Sequence, residues 1–320
     1  MKITIVNSSE CYNLAAHKML TKFKREGHQV CFCNNLDLWG MSCDRAFLSG
    51  LFTWDLPGLC RDVNLLKENG VEIEIGGPAA TAMPQYVVQQ TGILPHVGLD
   101  ERFEHVDGKF FSVFSSRGCP HNCEFCIVPT LEGRKMIEYD SFPIPIGNNP
   151  YLCDNNILAT SWAHQQLVVQ KLKNVKNLDC NSGFDCRIFA HNPEKYWQLY
   201  NELHLERWRF AYDQPSQKEP VKASIEFLRS KGVRYSEISV FCLIGFPGQT
   251  FEHCVEKLQF LVDIGCSPYA MRFKPIDTIK KDYTPPEWNK GDLDLLFSYY
   301  SVPWHWRSFP WAEFKKRLRK

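Results

Sequence analysis

No stretch of the chain approaches the roughly 18 consecutive apolar residues that a membrane-spanning helix needs. Neither sign of charge predominates, since 37 Lys and Arg stand against 36 Asp and Glu for a net charge of +1. The first absence argues against a membrane partner, and the second leaves no global field to recruit nucleic acid or an acidic lipid surface. The opening MKITIVNSSE turns polar too soon for a secretory signal, so the expected location is cytoplasmic. What the chain has in quantity is cysteine, 14 residues among 320. In a reducing compartment these are not expected to form disulfides. Most are expected to be small buried hydrophobes. A tight cluster points instead to metal.

Apolar residues make up 44% of the chain, enough for a full-sized core. Over the first hundred residues, strand and helix patterns alternate. MKITIV, QVCFC, RAFLSGLF, VEIEIGG and ILPHVG read as strands, with helices over 11–27 and 55–70, each stopped by a glycine. That alternation predicts a small parallel sheet with helices on both faces and a ligand crevice at the strands' carboxyl ends. Asp107-Gly108 predicts a hairpin within a connection over 101–111. From 112 the alternation resumes. FSVFSS, NPYLCDN, LDCNSGFDCRI, RWRFAYD, SEISVFCLIGF and YAMRFKP are strands with helices between them. Six such units predict a partial parallel barrel over 112–280, followed by an aromatic and basic extension over 281–320.

Side-chain parity then sorts the strands. Within 179–188, Asp179, Asn181, Gly183, Asp185 and Arg187 share one face, and Cys180, Ser182, Phe184, Cys186 and Ile188 the other. In 207–213, Arg207, Arg209 and Asp213 oppose Trp208, Phe210 and Tyr212. The apolar sets pack beneath helices and the polar sets face the lumen, where uncompensated charge would be costly, so the lumen should hold a polar ligand. Arg209, Arg272 and Lys274 suggest an anionic substrate.

SSRGCPHNCEFCIVP, residues 115–129, carries Cys119, Cys123 and Cys126 within eight positions. Pro120 and Asn122 favour a turning chain, so three thiolates can converge. Structural zinc takes four ligands, and His121 is the only local candidate for the fourth. Iron-sulfur clusters are also normally held by four cysteines, so a three-cysteine loop leaves one iron open.

This Cys-x3-Cys-x2-Cys loop, with Phe125 before the third cysteine and Ser-Arg-Gly ahead of the first, resembles the cluster loop of radical S-adenosylmethionine enzymes. GGPAATAMP (76–84) resembles part of the cobalamin-binding-type domain that precedes many members. FCLIGFPGQT (241–250) resembles their fifth barrel strand, and RFKPIDT (272–278) their sixth. The resemblance implies an α/β protein: a Rossmann-like cobalamin-binding-type domain over 1–100, then a (β/α)6 partial TIM barrel. It implies a [4Fe-4S] cluster on Cys119, Cys123 and Cys126, whose open iron chelates S-adenosylmethionine. Reductive cleavage then yields a 5′-deoxyadenosyl radical, with a reduced flavodoxin or ferredoxin as electron donor. By analogy Phe125 lies near the adenine, and the Ile244-Gly245-Phe246 backbone helps to bind it. Arg187 meets the cofactor carboxylate, Asp213 a ribose hydroxyl, and Asp154, Asn155 and Asp185 complete the cofactor set.

Two departures from the family pattern stand out. Where many members carry Gly-Gly-Glu after the second strand, this chain reads Cys153-Asp154-Asn155-Asn156. The Asp-x-His-x-x-Gly motif that supplies a cobalt ligand is missing, so cobalamin is not the favoured cofactor. The alternatives are a cobalamin-dependent methyltransferase, or a methylthiotransferase of tRNA or protein drawing on Cys11, Cys31, Cys33, Cys43 and Cys60. A zinc-containing nucleic-acid-binding protein is the non-enzyme alternative. In that reading Trp304, Trp306 and Trp311 interleave with Arg307, Lys315, Lys316, Arg317, Arg319 and Lys320 to stack bases and pair phosphates. The capping-helix reading of the same tail has its aromatics cover the barrel end.

Overall fold

A computed structural model describes residues 1–318, so Arg319 and Lys320 lie outside the described residues. By packing, the chain divides into two units. The first comprises Met1–Val113, Arg117–Pro145 and Pro275–Lys281, and the second Phe114–Ser116, Ile146–Lys274 and Asp282–Lys320. Both are α/β with parallel strands.

In the first unit, β1 (Lys2–Asn7), β2 (Gln29–Cys33), β3 (Arg45–Ser49) and β4 (Glu72–Gly76) form one sheet in the order β2-β1-β3-β4. All its pairings are parallel. Helix α1 (Leu14–Arg25) begins where the Asn13 side chain accepts from the Ala16 amide, and its last turn carries Lys22, Lys24 and Arg25, the charge sign its carbonyl end favours. Ala16, Met19 and Phe23 of α1 pack on Ile3, Ile5 and Phe47. The opposite set, Val6, Ala46, Leu48 and Ile75, packs under α2 (Leu56–Glu68) and α3 (Pro84–Thr91). Strand alternation thus places a helix layer on each face.

Two expectations for this region fail. ILPHVG is not a strand: Pro95 offers no N–H to a ladder, and the segment is tied to β4 by the His96 amide donating to the Ile75 carbonyl at 2.7 Å. Asp107-Gly108 is not a hairpin. A type I′ turn needs positive φ, which Gly108 does not adopt, and Asp107 Oδ1 instead accepts from the Gly108 amide at 2.9 Å. A short helix, Glu101–Glu104, precedes it.

In the second unit, β5 (Tyr151–Leu152) pairs in parallel with β6 (Asp179–Cys180). A parallel bridge, Leu178 to Leu205, continues toward β7 (Trp208–Ala211). There β7, β8 (Ile238–Ile244) and β9 (Ser267–Arg272) form a parallel sheet in that order. Helices α4 (Trp162–Leu172), α5 (Cys186–His191), α6 (Pro193–Tyr200), α7 (Lys218–Ser230) and α8 (Phe251–Asp263) fall between strands, and α9 (Asp292–Tyr300) follows β9. The parity expected for 207–213 holds. Trp208, Phe210 and Tyr212 are buried and Arg209 is half-buried, while Phe184 and Phe189 pack on the Trp208 and Phe210 rings.

Parity fails across 179–188. The strand ends at Cys180 because Gly183 turns at φ +80°, and Asp185 caps α5 by accepting from the Arg187 amide. Arg187 is therefore a helical residue, and Cys180 and Cys186 share burial without sharing a strand face. FSVFSS likewise contributes only Ser112–Val113 and Ser116 as strand, the last running on into Arg117, because the intervening Ser115 amide donates to the Asp154 carboxylate.

Candidate cofactor site

The cysteine loop, Gly118 to Ile127, has no regular structure, and its three thiols are half-buried between exposed Pro120, Asn122 and Glu124. Phe125 is half-buried on the same loop. Its entry is held by a buried charge network that no sequence motif announces. The Arg117 fork grips Glu104 through Nε and Nη2, at 2.9 and 3.0 Å, and reaches Glu132 through Nη1 at 3.0 Å. The second Glu132 oxygen accepts the Gly118 amide at 2.9 Å. Tyr139 donates to Glu104 at 3.0 Å, and Lys18 donates to the Glu104 backbone carbonyl at 2.7 Å.

Burial pushes the Glu104 carboxyl up, but Arg117, Lys18 and the hydrogen bonds outweigh it and hold the group below its ordinary value. Burial also draws Lys18 down to about 8, with Glu104 opposing. Gly118 takes φ +84°, and a Cβ there would lie 2.2 Å from the Lys135 carbonyl, so no other residue fits. Arg134 closes the loop from outside by donating to the Pro120 carbonyl at 3.3 and 3.1 Å.

Among the described residues no three His, Cys, Asp or Glu are gathered around one point as ligands of a single ion. A cluster makes a different demand, because each thiolate binds a different iron. The donor set fits a cluster by its chemistry: three half-exposed thiols on one irregular loop. Most other thiols are packing groups. Burial pushes Cys60 up to about 11 and Cys33, Cys186 and Cys242 up to about 12, and it raises Cys180 and Cys266 further.

At the carboxyl ends of the second unit's strands, three polar residues form one bonded chain, and a fourth, Asp213, follows β7. Asn156, a neighbour of the expected ligands Asp154 and Asn155 but not itself among them, is 4% exposed and donates through Nδ2 to Asp185 at 3.1 Å. Because the amide must present its nitrogen to that carboxylate, Oδ1 points the other way, and it has no protein partner. A buried acceptor left so is costly unless a donor comes to it. Asp185 in turn accepts from Arg187 Nε and Nη2, at 2.9 and 3.0 Å.

Asp213 accepts from the Leu243 amide at 2.8 Å through Oδ1. Burial raises its pKa, with the Leu243 bond, Lys257 and Arg187 opposing. Asn155 is half-buried.

Asp154 behaves differently from its expected ligand role. Its carboxylate accepts from both amides and both hydroxyls of Ser115 and Ser116, at 2.6, 3.1 and 2.9 Å with the Ser115 hydroxyl shorter still. Four bonds exhaust a carboxylate's acceptor sites. With its proton given to Asp154, Ser115 Oγ accepts from His164 Nε2 at 3.0 Å. Asp154 therefore ties chain segments and has nothing left for a cofactor.

At the end of β8, Gly245 turns at φ +76°, where a Cβ would meet Leu293 at 2.8 Å. The Phe246 amide donates to Gln249 Oε1 at 3.2 Å, and the Gly245 amide is aimed at the Cys254 sulfur. The Phe246 carbonyl already accepts from the Gln249 amide at 3.0 Å. The Ile244 carbonyl already accepts from the Phe273 amide at 2.9 Å.

The cationic substrate set is largely neutralised. Arg209 forks onto Asp179 at 2.6 and 2.7 Å and reaches Glu206 at 2.9 Å. Arg272 pairs with Asp294 at 2.6 Å. Lys274 is half-buried. In the C-terminal helices Pro303–Ser308 and Trp311–Leu318, Trp304 is 63% exposed, but Trp311 packs on Tyr299 and Tyr300, and Arg307 donates to Tyr235 at 2.5 Å.

At the carboxyl ends of β1 and β3 in the first unit, the polar side chains bond one another. Asn13 donates to Asn7 Oδ1 and Ser49 Oγ at 3.2 and 3.1 Å, Ser9 donates to Asp55, and Gly77 lies so close to Gly50 that a Cβ would sit 2.6 Å from its carbonyl. No protein-family model matches the chain, and no curated protein is similar enough to it to match.

Proposed function

We propose that this chain is a radical S-adenosylmethionine enzyme, with its second unit a partial TIM barrel and its first a Rossmann-like domain working without cobalamin. The observation that carries the reading is the three-thiol loop on a rigid charge-held base, with no fourth cysteine on the same stretch. Two runs of sequential parallel strands, β5–β6 and β7–β8–β9, with helices between, support the barrel part of the reading.

Cys119, Cys123 and Cys126 would hold the [4Fe-4S] cluster. The chemistry supplied when it is bound is one-electron cleavage of the S-adenosylmethionine sulfonium, giving methionine and a 5′-deoxyadenosyl radical that abstracts hydrogen from substrate. The protein's residues do the binding and orienting. Asn156 Oδ1 accepts from the amino group, filling the role that Gly-Gly-Glu has elsewhere. Arg187, paired with Asp185 but with a third of its side chain exposed where Arg209 is nearly buried, would add a charge-assisted contact to the carboxylate. Asp213 would accept from a ribose hydroxyl, and the Gly245 carbonyl at the end of β8 would accept from the adenine amino group. The two arginines expected to bind an anion are neutralised, so an anionic substrate is not part of the proposal. Reduced flavodoxin or ferredoxin is the proposed electron donor.

The test is anaerobic reconstitution with iron and sulfide, then S-adenosylmethionine and dithionite, with Cys126→Ala alongside. We expect 5′-deoxyadenosine from the intact chain only. S-adenosylhomocysteine instead would mean methyl transfer, and stoichiometric zinc with neither nucleoside would overturn the proposal.

A further inference from the structure

Arg117 stands one glycine ahead of the first cysteine, and its charge is used in an unusual way. One Glu132 oxygen receives the Arg117 guanidinium at 3.0 Å, and the other receives the amide of the very next residue, Gly118, at 2.9 Å. Side chain and following backbone are thereby closed into a ring through one carboxylate. The rest of the fork is locked on Glu104, itself held by Tyr139 and Lys18. The side chains of Arg117, Glu104, Glu132 and Lys18 are at most 9% exposed. Two cations face two carboxylates, so the network is neutral as a whole and the burial of each charge is compensated. Past this ring the chain has one route, because Gly118 sits at φ +84° against the Lys135 carbonyl and the Cys119 amide donates to the Gly133 carbonyl at 3.3 Å.

We propose that Arg117 is the positioning residue of the cysteine loop: through Glu132 and the Gly118 amide it presets the direction in which Cys119 leaves the fold, before any iron arrives. This rests on the cluster reading above only for what the loop receives, not for the clamp itself. Lysine cannot replace it, because an ammonium has no planar fork to span two carboxylates at fixed angles. A purely stabilising ion network would make a different prediction, since its loss would loosen the whole unit evenly.

The experiment uses the full-length chain as wild type, Arg117→Lys and Glu132→Gln. Arg117→Lys keeps the buried charge, and Glu132→Gln keeps the side-chain shape, so neither depends on the other variant folding. Amide hydrogen exchange in the metal-free chain is read over 117–120 and over β1 to β4. Iron content and the electron paramagnetic resonance spectrum of the reduced cluster follow after reconstitution. In both variants we expect exchange over 117–120 to quicken roughly tenfold or more, the effect of losing a hydrogen bond to a charged group. The sheet should be unchanged, with iron per chain lowered and the spectrum broadened. Wild-type exchange, iron and spectrum in Arg117→Lys would overturn the proposal, as would a loosening spread equally over the sheet. If the wild type takes up no cluster while 117–120 still loosens selectively, the clamp stands and the cluster reading falls.

Discussion

Replacing Asp154 tests how the segment leading to the cysteines is held. In Asp154→Ala the buried amides of Ser115 and Ser116 lose their acceptor, while the two hydroxyls can turn elsewhere. Each stranded amide costs about 1–3 kcal/mol, so the expected loss is about 4 kcal/mol. Asp154→Asn keeps one oxygen for the two amides and offers its NH2 to the hydroxyl oxygens, so it should cost only about 1 kcal/mol at neutral pH.

The pH dependence separates the two states of the carboxyl. Burial raises the folded pKa above the ordinary 3.8, with the four bonds from Ser115 and Ser116 opposing. The folded state therefore holds the proton more tightly than the unfolded one. That contribution is fully present below 3.8 and is lost as pH rises through the folded value. The wild type should thus lose stability relative to Asp154→Asn as pH is raised from about 4 toward neutrality. Urea unfolding followed by circular dichroism at several pH values reads both effects. A loss below about 1 kcal/mol for Asp154→Ala would refute the reasoning, since stranded buried amides cannot be that cheap. A wild type that gained on Asp154→Asn with rising pH would refute it equally.

Asn156→Ala should separate binding from folding. It removes a buried acceptor that has no protein partner, along with a single bond to Asp185, so unfolding should shift by less than about 1 kcal/mol. Calorimetric titration of the reconstituted protein with S-adenosylmethionine should show affinity reduced about tenfold, and unchanged affinity would remove Asn156 from the site. Alkaline stability follows from the buried thiols. Cys60 is raised to about 11 and Cys186 and Cys242 to about 12, so their contribution is complete below their ordinary 9.0 and is lost above it. Each thiol then removes about 1.4 kcal/mol per pH unit, giving a steep fall in the urea midpoint above pH 9 under reducing conditions. A flat profile to pH 11 would contradict their burial.

Elements with a strong local signature are legible in the residue order itself. Met19 and Phe23 of the stripe expected on α1, and the alternation of Trp208, Arg209 and Phe210, follow from helix and strand periods alone, whereas the first turn of that helix buries Ala16 and leaves the expected Leu14 and Ala15 half-buried. ILPHVG and LDCNSGFDCRI mislead for an identifiable reason: each is apolar or alternating enough for a strand, but a proline or a cap residue interrupts the ladder. Asp185 is recognisable as a helix N-cap by its side-chain type, a reading that moves Arg187 from strand to helix. Asn156 and Glu132 carry no signal beyond their types.

Local pattern is enough to establish the α/β alternation and the three thiols on one short loop. Which carboxylates hold that loop's approach is settled by the folded chain. Glu132 reaches Gly118 across 14 positions and Asp154 reaches Ser115 across 39. The physical reason is range. Periodicity and capping act within a few residues, whereas a buried carboxylate takes whatever donors the fold brings within about 3 Å. The chain contains 36 acidic residues that could have served, and no local pattern distinguishes Glu104, Glu132 and Asp154, which do.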